Sequence, residues 1–286
     1  VPQAIVEGMR IIRYVAGYAA VAAALPYVVL KISWLTGSTV GFNTATPVED
    51  GFDELNAATM VMAMVAIAVA LALTHRWGER LPAPLVLFPM WVGSGLLGPI
   101  LIGVPVAVAI AGIRGEPIFD GGIVEGWIYK MVYAGFIVQG AALLTAFALY
   151  ARRRWASIHI GRSDALGVLL GTTAGLLLFG VGSLYLVWIA DSPLNGVMGV
   201  LSVLGGVAML MLVRGKGGWG AIVFAWLGSG ANFAWGLWVT VNALASSPVG
   251  SAVPAAMKLV QFLSVLTGML AGLVAANVFS NARLRA

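Results

Sequence analysis

Three lysines are the first side chains in this chain that could bind something. Lys31, Lys130 and Lys258 lie at or near the ends of long apolar runs, all on one side by the orientation derived below. An ammonium held in such a wall attracts a carboxylate or a phosphate. Together they describe a cationic vestibule for a small anionic ligand or a lipid head group. The competing reading is that each stem snorkels, carrying its ammonium to water and balancing the acidic loops nearby. Gln139 and Asn232 are the deepest polar side chains in the runs, the first contacts a central cavity would use. Lys31, Lys130, Lys258, Asn232 and Gln139 are therefore the candidate ligand-binding set.

Other patterns carry less chemistry. Gly93-Ser94-Gly95-Leu96-Leu97-Gly98 fits G-x-G-x-x-G, but a dinucleotide site needs a strand before it and a βαβ unit around it. Inside an apolar helix these glycines read as packing surfaces. Gly167, Gly171 and Gly175 likewise put three bare positions on one helix face, suited to a close helix contact within the chain. The acidic run Glu49-Asp50-Gly51-Phe52-Asp53-Glu54 could hold Ca²⁺, yet lacks the EF-hand spacing, and Asp53 could equally cap a helix. With no cysteine there is no thiolate catalysis, and His75 and His159 both fall in loops, so neither a metal nor a cofactor is expected. The apolar runs carry no Asp, Glu or His at their centres, which leaves a proton-driven pump or an intramembrane carboxylate enzyme without its parts.

The elements that must position these residues follow from composition. Of 286 residues 60% are hydrophobic and 9% charged, against about 25% charged in a soluble domain. Lipid must therefore cover much of the surface, and the net charge of +5 does not point to nucleic acid. Eight continuous apolar runs, 11–35, 55–74, 83–112, 127–151, 164–190, 195–213, 218–243 and 253–281, each reach the roughly 20 residues that a helix needs to cross a bilayer. The runs do not alternate, so a barrel is excluded, and the fold class is an all-α integral membrane protein of eight transmembrane helices. The first run is too long for the core of a signal peptide and reads as a retained helix. Helix three, with Gly98-Pro99 and Pro105, is expected to kink, to break or to continue above the membrane.

The loops orient the chain. Arg10, Arg13, Arg76, Arg80, Arg152, Arg153, Arg154, Arg162, Arg214, Lys216, Arg283 and Arg285 lie on one side, and Lys31, Arg114, Lys130 and Lys258 on the other. That bias places both termini in the cytoplasm, with the chain in the cell membrane and the three lysines outside. The tryptophans read as interfacial belts, Trp34, Trp127, Trp188, Trp235 and Trp238 outside and Trp77, Trp91, Trp155, Trp219 and Trp226 inside.

An internal repeat is also expected. Trp91-Val92-Gly93-Ser94-Gly95 recurs as Trp226-Leu227-Gly228-Ser229-Gly230, and Lys130-Met131-Val132 with Gly140 recurs as Lys258-Leu259-Val260 with Gly268. The reading is two parallel four-helix halves, 1–155 and 156–286, related by an axis along the membrane normal.

Leu25-Pro26-Tyr27 with Leu30-Lys31, Trp34 and Gly37, then Trp77-Gly78-Glu79-Arg80-Leu81-Pro82 and Pro89-Met90-Trp91-Val92-Gly93, resembles uncharacterised multi-pass membrane proteins of high-GC actinobacteria. The resemblance lies mostly in the first half and implies no activity. Three functions are then weighed. First is a transporter, or a ligand- or lipid-binding membrane protein, with its site between the two halves. Second is a non-catalytic subunit or assembly factor that meets other membrane proteins in a larger complex. Last is an outer-face lipid enzyme using the acidic loop, which lacks a nucleophile or metal partner.

Overall fold

The computed structural model describes residues 3–43, 51–119, 122–155, 163–244 and 253–284. They form α1 (Gln3–Leu35), α2 (Phe52–Thr74), a short 3-10 turn (Arg76–Arg80), α3 (Ala83–Arg114), α4 (Gly126–Arg154), α5 (Ala165–Val187), α6 (Pro193–Leu212), α7 (Trp219–Leu244) and α8 (Ala255–Leu284). All eight helices are long and apolar enough to cross a membrane. The chain is an all-α, multi-pass membrane protein. Large apolar side chains such as Ile12, Val29, Leu169, Leu176 and Leu273 are exposed along the helices, as lipid-facing positions should be.

The helix ends have local causes. Asp164 caps α5 by accepting from the Gly167 N–H at 2.8 Å, and Ser192 caps α6 ahead of Pro193 at its first turn. Gly115, at φ 68°, ends α3 in the left-handed conformation that glycine adopts without strain. Of the three outcomes expected for α3, the helix runs unbroken through Pro99 and Pro105 for 32 residues, about 48 Å. Asp53 and Glu54 sit in the first turn of α2, where they favour the helix dipole, but Gly51 holds the cap position with no side-chain bond. Glu49 and Asp50 of the acidic run, His159 and Arg162 lie outside the described residues.

The chain forms two compact units. The first comprises Val1–Met90 and Val104–Arg154, the second Trp91–Gly103 and Trp155–Ala286. In the first, α1 packs against α2 and α4. A Cβ on Gly17 would strike the Thr74 methyl, and one on Gly135 would lie 3.0 Å from the Ala23 carbonyl oxygen. At one end of this unit the connecting loops zip together. The Asn43 N–H donates to the Ile123 carbonyl at 2.9 Å, and the Glu125 N–H to that of Gly41 at 2.8 Å, around a Phe42–Val124 bridge.

In the second unit the helices touch through glycine. Added Cβ atoms would meet backbone at Gly175 (Gly206 oxygen, 2.9 Å), Gly182 (Gly199 oxygen, 2.8 Å), Gly228 (Leu201 oxygen, 2.5 Å) and Gly236 (Gln261 oxygen, 2.6 Å). Gly171 faces Val213 and Val274, so Gly171 and Gly175 of the α5 stripe serve contacts inside the chain.

The middle of α3 crosses α7 where the two W-x-G-S-G motifs meet. The Trp91 indole N–H donates to Ser229 Oγ at 3.0 Å, and the Trp226 indole N–H donates to Ser94 Oγ at 2.8 Å. Gly95 and Gly230 bring the two backbones together beneath them. Trp235 donates to the Leu96 carbonyl at 3.2 Å, and Trp91 stacks on Phe233 at 4.9 Å. The expectation that Trp91, Trp226 and Trp235 are interfacial anchors is corrected here, because their indole N–H groups point into the bundle. Of the three G-x-G-x-x-G glycines only Gly95 makes a tight backbone contact; Gly93 faces open space and Gly98 has the Leu227 side chain at 3.7 Å.

This contrast is measurable. Gly95→Ala drives its methyl into the Gly230 peptide and is expected to cost about 1–3 kcal/mol by overpacking. Gly93→Ala meets nothing and should be neutral or gain up to about 1 kcal/mol from helix propensity. Thermal unfolding of the two variants in one detergent separates them; equal midpoints would refute the crossing.

Candidate functional site

Tyr27, Lys31 and Trp34 are spaced four and three residues apart, so α1 presents them on one face. Asn56, from the start of α2, completes the group. Lys31 is 8% exposed, and its Nζ donates to Asn56 Oδ1 at 2.5 Å. The same Nζ lies 5.0 Å from the ring centroids of both Tyr27 and Trp34. Trp34 is held by its own indole N–H, which donates to the Val40 carbonyl at 2.9 Å, and by ring contacts with Phe42 at 5.3 Å and Phe52 at 5.7 Å. Tyr27 meets Phe136 of α4 edge to face at 5.1 Å. Both rings of the cage are thus held by contacts beyond Lys31.

Its charge balance is unusual. A buried cation costs free energy unless it is paired. The ion pairs among the described residues are Arg10–Glu7, Arg13–Glu79 and Arg153–Glu79, and none involves Lys31. The two aromatic faces offset part of the cost, about 2 kcal/mol for a desolvated cation–π contact. Asn56 is 1% exposed, and its Nδ2 has no acceptor among the described residues. This buried pair of side chains thus carries more donors than described acceptors. Chemically, the site is suited to one anionic oxygen pair.

The other expected residues lie elsewhere. Lys130 is exposed in the first turns of α4, and Lys258 is half-buried in the first turns of α8, in the other unit. Gln139 is buried midway along α4. Asn232 is fully buried in α7; its Nδ2 donates to Ser202 Oγ at 2.6 Å and to the Gly228 carbonyl at 2.8 Å, while its Oδ1 lacks a donor among the described residues. None of these four shares a hydrogen bond or ring contact with Lys31. Two groups were not anticipated. One is Asn56 itself. The other is Tyr185, whose hydroxyl donates to Gln261 Oε1 at 2.9 Å and lies 3.2 Å from Ser264 Oγ. The only sequence signal for Asn56 was an amide within an apolar run.

A second polar cluster sits at the far end of the first unit. Arg13 is 4% exposed, and it donates to Glu79 Oε1 and to the Thr74 carbonyl, each at 3.3 Å. Arg153 reaches the same carboxylate oxygen at 3.6 Å. Arg154 donates to the Gly78 and Leu81 carbonyls and to the Tyr150 hydroxyl, which itself donates to the Gly78 carbonyl at 2.9 Å. These bonds pin the Arg76–Arg80 turn to α1 and α4. Glu79→Gln leaves buried Arg13 without its counter-ion and is expected to cost about 1–3 kcal/mol. Arg153→Gln removes a guanidinium that is 59% exposed and should cost about 0–1 kcal/mol. Chemical or thermal unfolding of both variants checks the order, and a reversed order would contradict the clamp.

No protein-family model, curated protein or solved structure matches the chain.

Proposed function

We propose that this multi-pass membrane protein is of the transporter or ligand-binding class and takes a small molecule or lipid carrying a carboxylate or phosphate, with Lys31 as the binding cation. The observation that carries this reading is a buried ammonium with no described carboxylate, beside a buried amide N–H with no described acceptor. An anionic group would complete both. These donors belong to the first unit alone, so the reading centres on that unit rather than on a site between two halves. Exposed Lys130 and half-buried Lys258 are secondary, as attracting charges.

The reading also places the chain in the cell membrane, with both termini cytoplasmic and Lys31 toward the outside, on the strength of the arginine-rich loops. A duplicated four-helix unit belongs to it. What supports the duplication is that each W-x-G-S-G motif supplies both the indole donor and the hydroxyl acceptor to its counterpart.

The test is native mass spectrometry of the protein extracted from its own membranes in mild detergent. Wild-type chain should carry an anionic small-molecule or lipid adduct, and Lys31→Met should lose it by tenfold or more. Asn56→Asp, which supplies a carboxylate beside Lys31 from within the chain, should lose it too while keeping the fold. An adduct retained by both variants would overturn the assignment. Stoichiometric polypeptide partners with no adduct would instead favour a subunit of a larger membrane complex.

A further inference from the structure

The end of the first unit that holds Arg13 lies 18 residues back along α1 from Lys31, about 27 Å away. It carries Arg10, Arg13, Arg76, Arg80, Arg152, Arg153 and Arg154 against two described carboxylates, Glu7 and Glu79. All seven cations are arginines. A guanidinium offers a planar fork of donors that matches phosphate oxygens two at a time, where an ammonium acts as a point charge. The seven are not equivalent. Arg10 pairs with Glu7, Arg13 and Arg153 share Glu79, and Arg154 is spent on backbone carbonyls. Arg76, Arg80 and Arg152 are exposed, and none has a hydrogen-bond or ion-pair partner among the described residues. The turn that carries two of them is fixed by the Glu79 clamp and the Tyr150–Gly78 bond, so their backbone positions are set before anything binds.

The exposed apolar side chains at the same helix ends decide the occupant. Ile11 and Ile12 of α1, Trp77 of the turn itself, and Leu85 and Phe88 of α3 are all exposed, Trp77 at 45% and Leu85 at 61%. Arginines that border exposed apolar helix surface suit a molecule with a phosphate and acyl chains in one piece. A free phosphate or a nucleic acid would use the charges and leave the apolar border idle. From this juxtaposition we infer that this end of the unit is a binding surface for an anionic phospholipid, its phosphate held by Arg76, Arg80 and Arg152 and its chains lying against the apolar side chains beside them. The surface is independent of the Lys31 site.

The probe is phosphatidylglycerol, titrated into the delipidated protein in neutral detergent, with phosphatidylcholine and inorganic phosphate as comparisons. Native mass spectrometry and the thermal midpoint are read together. Wild type should retain phosphatidylglycerol at least tenfold more strongly than phosphatidylcholine and unfold at a higher temperature with it. The preference should weaken in high salt, because exposed charges are screened. R76Q/R80Q/R152Q should abolish it while unfolding normally in the absence of lipid, and Lys31→Met should leave it intact. Equal retention of the two lipids, or a triple variant that behaves as wild type, would overturn the inference. Stabilisation reproduced by inorganic phosphate alone would assign a free-anion site and overturn the lipid surface. Loss in Lys31→Met with retention in the triple variant would place the lipid at the other site and overturn it equally.

Discussion

Inside a bilayer an apolar side chain gains almost nothing by leaving lipid for protein, so helices must be held by something other than the hydrophobic effect. In this chain that something is backbone proximity, and glycine permits it. The second unit is a sequence of such approaches, Gly175 with Gly206, Gly182 with Gly199, Gly205 with Gly228 and Gly95 with Gly230. At these distances the dispersion contacts of two peptide chains accumulate. Side chains then fill what remains, Leu178, Met209 and Val213 in one cluster and Val181, Tyr185 and Met198 in another.

Close backbones put polar side chains beside one another without water to satisfy them. The α3–α7 crossing solves this reciprocally, each tryptophan N–H finding the opposite serine hydroxyl. Tyr185, Gln261 and Ser264 solve it as a trio. Each serine also donates back to its own helix, Ser229 to Ala225 and Ser264 to Val260, so the hydroxyls are satisfied as donors while they serve as acceptors. Such bonds contribute about 1 kcal/mol or less apiece in a membrane. Their greater effect is on register, since a slip of one residue would strand every partner at once.

Helix number and type were legible because continuous apolarity is a direct imprint of lipid, and the eight helices follow the eight runs closely. Lys31 was legible as a residue type out of place. Asn56 was not, because its importance comes from which helix face α2 turns toward α1, and α2 is apolar around most of its circumference. The W-x-G-S-G repeat was visible as a string, but its indole-to-serine pairing was not, since tryptophans near a helix end are ordinarily anchors. Nor did any pattern show that residues 91–103 of α3 belong to the unit of α5–α8 while the ends of the same helix belong to the other. Glu79 was visible only as a charge in a short loop; that it joins two arginines 140 positions apart, Arg13 and Arg153, is a fact of packing alone.

Two buried cations on one helix make the comparison that gives the candidate site its meaning. Arg13 and Lys31 are almost equally shielded, 4% and 8% exposed. Burial by itself therefore separates them no further than snorkelling would. What differs is the company each keeps. Arg13 has a carboxylate and a carbonyl, the partners that a structural cation needs to repay its desolvation. Lys31 has two aromatic faces and an amide oxygen, and the Nδ2 of that amide is buried with no described acceptor. Lys31 takes a neutral acceptor from Asn56, whereas Arg13 takes the charged carboxylate of Glu79. A cation ringed by two aromatic faces, with no carboxylate partner among the described residues, therefore differs from Arg13 in its partners and not in its burial.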